Sequence, residues 1–204
     1  MEQKKILIIV ALESELPIVD TPADIEIIHC GVGKVNATAV TTAAIITRKP
    51  DLVINFGTAG KISTDIHGLV EVARVMQRDM MAMPLAARGV TPFSNDASTL
   101  SSGLDGVCCG TGDNFVTAAD AWFVENGIDV VDMELFAIAH TCHRYDVPWR
   151  AFKYISDDAN DAAAEDWSSN VRKGNVLFLE RLKTIYGHDT VSYTHLRAHE
   201  TGRN

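Results

Sequence analysis

Several absences frame this 204-residue chain. No run approaches the roughly 20 consecutive apolar residues that cross a bilayer, so a spanning helix is excluded. Positive charge is in deficit: 18 Lys+Arg stand against 27 Asp+Glu, a net charge of −9. That argues against non-specific binding of nucleic acid or anionic membrane as the main activity. A small anionic ligand stays open, because backbone dipoles act locally. Cysteine is scarce, and Cys30, Cys108, Cys109 and Cys142 show neither a CxxC nor a metal-ligand spacing. Free buried thiols in a reducing cytoplasm are the expectation. Residues 6–12 are as short and apolar as a signal core, but Glu13 and Glu15 stand where small residues should follow, so a buried strand is expected there rather than a cleavable leader.

What is present suits one packed domain. With 47% hydrophobic and 22% charged residues the chain can bury a sizeable core. The domain is placed at 1–187. The remaining 188–204, HDTVSYTHLRAHETGRN, holds three of the seven histidines and no apolar face, and reads as an appended or disordered tail. Apolar runs of strand length alternate with helix-period segments. Strands are expected at 6–11, 25–30, 52–56, 69–76, 106–109 and 147–155. Helices are expected at 34–48, ended by Lys49-Pro50, from Asp132 with Leu135, Ile138, Ala139 and Cys142 on one face, and at 163–186. Residues 57–60 read as a loop closing the third strand, and 80–104 as an excursion near the site or a partner subunit. Uniformly apolar strands alternating with helices imply a mainly parallel sheet covered on both faces.

In such sheets ligands bind beyond the carboxyl ends of strands. Glu13/Glu15, Gly31–Gly33, Gly57–Gly60, Gly110–Phe115 and Ser156–Asp158 all fall there. Gly31-Val32-Gly33 imitates a dinucleotide fingerprint, but the third glycine and the acidic residue ending the next strand are lacking, so helix packing is the better account. Gly57-Thr58-Ala59-Gly60 is either a bare turn or a set of amides offered to an anion or sugar oxygen. Asp132-Met133-Glu134 is either a capped surface helix or a carboxylate site at a helix start. Asp157 and Asp158 offer the same acid chemistry, and local reading does not choose between them.

Val131-Asp132-Met133-Glu134, Ala137-Ile138-Ala139-His140, Cys142-His143, Val147-Pro148 and Ile155-Ser156-Asp157 together resemble the 5′-methylthioadenosine/S-adenosylhomocysteine nucleosidases of the nucleoside phosphorylase superfamily. Ala11–Leu16 resembles the family's acidic first loop and Asn55–Gly60 its sugar-side loop. The resemblance implies an α/β fold, a three-layer sandwich around a central mixed, mainly parallel sheet. It implies hydrolysis of the N-glycosidic bond of a purine (adenine) nucleoside, with no metal or organic cofactor, in a cytoplasmic homodimer. By the same resemblance Asp157 is the acid at purine N7, oriented by Ser156, and Glu15 readies the attacking water. Glu134 grips the ribose hydroxyls and Met133 packs on the sugar. Phe115 stacks on the base, the backbone of Val116 reads its edge, and Thr58 sits by the sugar and water. Trp167 lines the 5′ end, and Lys153, where the family usually has arginine, completes the substrate contacts.

These residue types suit the reaction. Scission builds positive charge on the ribose and negative charge on the departing base; a proton donor relieves the second and carboxylates the first. The two catalytic carboxyl groups then need unlike surroundings. A phosphorylase needs a cationic cradle, whereas residues 11–17 carry two glutamates and no Arg or Lys, which favours water as nucleophile. A phosphorylase, a nucleosidase for another purine nucleoside or nucleotide, an inert ligand-binding relative and a nicotinamide oxidoreductase are the competing readings.

Overall fold

The computed structural model describes residues 4–19, 21–118, 120–159, 167 and 170–186. Eight strands form one sheet: β1 Ile6–Val10, β2 Ile25–His29, β3 Leu52–Lys61, β4 Leu69–Gln77, β5 Thr99–Ser101, β6 Val107–Thr111, β7 Val130–Asp132 and β8 Trp149–Asp157. The helices are α1 Lys34–Arg48, α2 Ala121–Glu125, α3 Leu135–Arg144 and α4 Gly174–Tyr186. β1 pairs in parallel with β2 and β3, β3 with β8, β4 with β6, and β6 with β7. The antiparallel pairs are β3–β7, β4–β5 and β4–β8. The sheet is thus mixed and mainly parallel, and the pairing β3–β8–β4–β6–β7 returns to β3, so five strands close on themselves.

β1 shows why its sequence is apolar throughout. Successive side chains point to opposite faces, and both are covered. Leu7 and Ile9 join the core under α1 and α3, while Ile6, Ile8 and Val10 join the core under α4. α1 buries Ala37, Thr41, Ala44 and Ile45, one stripe at helical spacing. It ends where Lys49 turns left-handed (φ 49°) and gives its N–H to the Ile45 carbonyl, with Pro50 next. α3 is buried from Leu135 to Ala139 and again at Thr141 and Cys142, so it is an interior helix and not a surface one. On the other face the Phe178 ring of α4 stacks on Phe56 at 4.2 Å.

The structure corrects the sequence reading in places. Gly57–Gly60 is no loop: β3 runs on to Lys61, pairing with β8 as far as Asp157 through a bulge at Ala59/Gly60. Its small residues admit side chains from neighbouring elements, a role that mimics turn composition. Asp132 ends strand β7, and α3 starts at Leu135. The last helix is described from Gly174, after a turn at 171–173. Most of 163–169, and all of 188–204, lie outside the described residues. All four cysteines are buried and free. Among the described residues no helix is long and apolar enough to cross a membrane.

Candidate active site

A cavity of about 750 Å³, counting its open mouth, lies across the ends of β3, β7 and β8. Nine of the ten residues named from the sequence line it: Glu15, Thr58, Phe115, Val116, Met133, Glu134, Ser156, Asp157 and Trp167. Glu15 and Asp157 therefore share one cavity.

Glu15 is buried and acts only as an acceptor toward its neighbours. Its Oε1 accepts from the Thr58 amide at 2.8 Å and the Thr58 hydroxyl at 2.7 Å, and Oε2 accepts from the Leu12 amide at 3.2 Å. The Trp167 indole donates to Thr58 Oγ1 at 2.7 Å, fixing that hydroxyl's proton on Glu15. Glu13, the other acid of the loop, is exposed. The Gly57–Gly60 amides thus serve a protein carboxylate at Thr58.

Asp157 ends β8 and is buried. Its Oδ2 accepts from Ser156 Oγ at 2.7 Å, and Oδ1 accepts from the Ala159 amide at 3.0 Å. The carboxyl lies on bare Gly60 backbone: a Cβ there would sit 2.6 Å from Oδ1. Asp158 points elsewhere, to Lys61 Nζ at 3.1 Å, and is exposed. The two neighbouring acids thus differ in burial and in partners, and Asp157 alone of them lines this cavity.

Glu134 occupies the junction of β7 and α3. Its Oε1 accepts the Gly33 amide at 2.9 Å, so the glycine turn before α1 serves this carboxylate rather than a dinucleotide. Burial first, then the charge of Asp132, pushes the Glu134 carboxyl up to about 7, against the opposing pull of Lys153 and the Gly33 amide. Asp132 caps the α3 start by accepting from the Leu135 amide at 2.8 Å and the Glu134 amide at 3.3 Å. Despite burial, Lys153 at 2.7 Å and the donors around it hold the Asp132 carboxyl below its usual range. Lys153 is correspondingly raised, the nearby carboxylates outweighing its desolvation.

Lys153 departs from expectation. It does not line the cavity: it is 1% exposed and spends its ammonium on Asp132 behind the wall. β8 carries it on the side facing Asp132, so it reaches the cavity only as charge. Sequence reading missed Arg78, Asn114, Leu12 and Val32, which also line the cavity. Arg78, at the end of β4, is the one basic lining residue among those described, and it is already engaged. Its guanidinium donates to the Gly110 carbonyl at 3.1 Å, the Gly112 carbonyl at 3.1 Å, Asn114 Oδ1 at 2.9 Å and the Asn114 carbonyl. The only sequence signal was an arginine directly after an apolar strand.

The phosphorylase superfamily model matches residues 97–185. A 5′-methylthioadenosine/S-adenosylhomocysteine nucleosidase of Exiguobacterium sp. is 31% identical over 160 residues, 67% of this chain and 69% of that protein. One from Shewanella piezotolerans is 28% identical over 177 residues, 75% of this chain and 76% of that protein. The crystal structure of the S-adenosylhomocysteine nucleosidase of Streptococcus pyogenes superposes with a TM-score of 0.79 at 21% identity, covering 92% of this chain and 98% of that one. The chain belongs to the 5′-methylthioadenosine/S-adenosylhomocysteine nucleosidase family.

Proposed function

We propose that this chain hydrolyses the N-glycosidic bond of adenine nucleosides of the 5′-methylthioadenosine and S-adenosylhomocysteine type, with Asp157 and Glu15 as its catalytic residues. The observation that carries the reading is that these two carboxyl groups share one cavity in which no described cation is free to cradle phosphate. The C1′–N9 bond breaks with its electron pair passing to the base, and Asp157 delivers a proton to N7. Water attacks C1′ and gives its proton to Glu15. The products are free base and a sugar with a 1-hydroxyl group. Glu134 at the α3 start holds the ribose hydroxyls while Met133 covers the sugar. Phe115 and the Val116 backbone take the base, Ser156 orients Asp157, and Thr58 with Trp167 fixes Glu15. General acid help of this kind contributes on the order of 10²–10⁴ in rate.

The reading includes a homodimer in a reducing cytoplasm. Met81, Met83, Leu85 and Phe93 are exposed on the 80–104 segment, apolar side chains that a second copy would cover. Sedimentation at micromolar concentration tests that part.

The decisive experiment follows free base from 5′-methylthioadenosine, S-adenosylhomocysteine, adenosine, inosine and AMP, with and without phosphate. Base release from the first two, unchanged by phosphate, is expected. Turnover that requires phosphate and yields a sugar 1-phosphate would sink the proposal.

A further inference from the structure

We infer that Arg78 and Asp79, which follow β4, are positioning residues for the base-side wall of the cavity, holding residues 110–114 in the one shape that presents Phe115 and Val116. The inference rests on the nucleosidase reading of that cavity.

Arg78 is 3% exposed, and none of its hydrogen-bond partners is a carboxylate. A buried guanidinium is costly to desolvate and ordinarily finds an acid. Here its planar fork is spread over three carbonyls and one side-chain amide, all within residues 110–114. Those residues lead directly into Phe115 and Val116. A lysine ammonium has no such fork. Contact is close enough to dictate sequence: a Cβ on Gly112 would lie 2.8 Å from Arg78 Nη1. The Arg78 amide adds a bond to the Thr111 carbonyl at 2.9 Å.

Asp79 grips the same segment from its other side. Its Oδ2 accepts the Asp113 amide at 2.9 Å and Oδ1 accepts Lys34 Nζ at 2.5 Å. Asp113 in turn accepts the Lys34 amide at 2.8 Å. Lys34 opens α1, and Gly33 before it donates to Glu134. A continuous set of charge-assisted bonds therefore runs from the residues that would hold the base to the carboxylate that would hold the ribose. The two halves of a nucleoside site are kept in mutual register by this set of bonds.

The test compares wild type with Arg78→Lys and Asp79→Asn. For Arg78→Lys, KM for 5′-methylthioadenosine and Ki for free adenine are expected to rise together, about tenfold, with kcat within a factor of about three. Amide hydrogen exchange is expected to quicken across 110–116 while β3 and β8 keep their protection. Asp79→Asn, at a partly exposed site the fold tolerates, is expected to quicken exchange at 112–114 and raise KM about threefold. Unchanged KM and Ki in Arg78→Lys, or a loss confined to kcat, overturns the inference. So does faster exchange throughout the sheet, which would mark Arg78 as a general core residue. If wild type releases no base, the hydrolase reading fails by itself, and equilibrium dialysis of adenine reads the wall: weaker binding to Arg78→Lys supports the inference and equal or absent binding overturns it.

Discussion

Asp157 and Asp158 are chemically identical neighbours with opposite fates. One is buried against Gly60 with Ser156 and Ala159 as donors; the other is exposed on Lys61. Asp157→Asn is expected to lower kcat about 10²–10⁴-fold while substrate binding stays within a few-fold, and Asp158→Asn to leave both near wild type. Single-turnover base release with a binding isotherm checks both. A second residue-scale consequence concerns Glu134, whose carboxyl is pushed from its ordinary 4.5 up to about 7. Between those values the unfolded chain has lost the proton and the folded chain keeps it. Stability contributed by this residue therefore falls as pH rises from about 4.5 to 7, by roughly 3 kcal/mol, and is level above that. Glu134→Gln is expected to remove this slope in urea midpoints measured from pH 5 to pH 8. It is also expected to abolish a fall in KM as pH rises through about 7, since the ribose hydroxyls donate to the carboxylate.

Among the elements, β1, α1 and α3 were legible: β1 from an unbroken apolar run, α1 from its composition and the Lys49-Pro50 stop, and α3 from Leu135, Ile138, Ala139 and Cys142 on one face, although its burial on all sides was not. β3 was half legible. Leu52–Phe56 is apolar and reads as strand, but Gly57-Thr58-Ala59-Gly60 has the composition of a turn, and only pairing with β8 makes it strand. β5 and β7 span three residues each, too short for any period to register. The site followed the same division. Glu15, Glu134 and Asp157 were marked by acids at strand and helix ends, while Arg78 was marked only by following a strand, and its partners 32–36 positions away are mostly backbone carbonyls, which no residue type announces. β3 also yields a test. Gly60→Ala places a methyl 2.6 Å from Asp157 Oδ1, so that carboxyl must move. A displacement of about 1 Å at a reacting group costs on the order of 10² in rate. Gly60→Ala is thus expected to lose about that factor in kcat with its far-ultraviolet circular dichroism unchanged.

For the molecule as a whole, the three buried clusters divide the labour. The first, under α1 and α3, borders the cavity through Ala59, and the third, around Cys108 and Phe123, through Val116 and Val131, whereas the second, under α4, contributes none of its buried residues to the cavity wall. Phe178 is fully buried in the second, stacked on Phe56 and tilted against Phe152 at 5.8 Å. Phe178→Ala is expected to cost about 3–5 kcal/mol of stability, read as a lower urea midpoint at unchanged slope, with KM for the nucleoside preserved below the transition.

Because Thr58 anchors Glu15 and Gly60 backs Asp157, the two carboxyl groups are tied to positions two residues apart on a single strand, about 7 Å. β8 pairs along that stretch and β7 joins it at Gly60, so the interval cannot drift without breaking both ladders together.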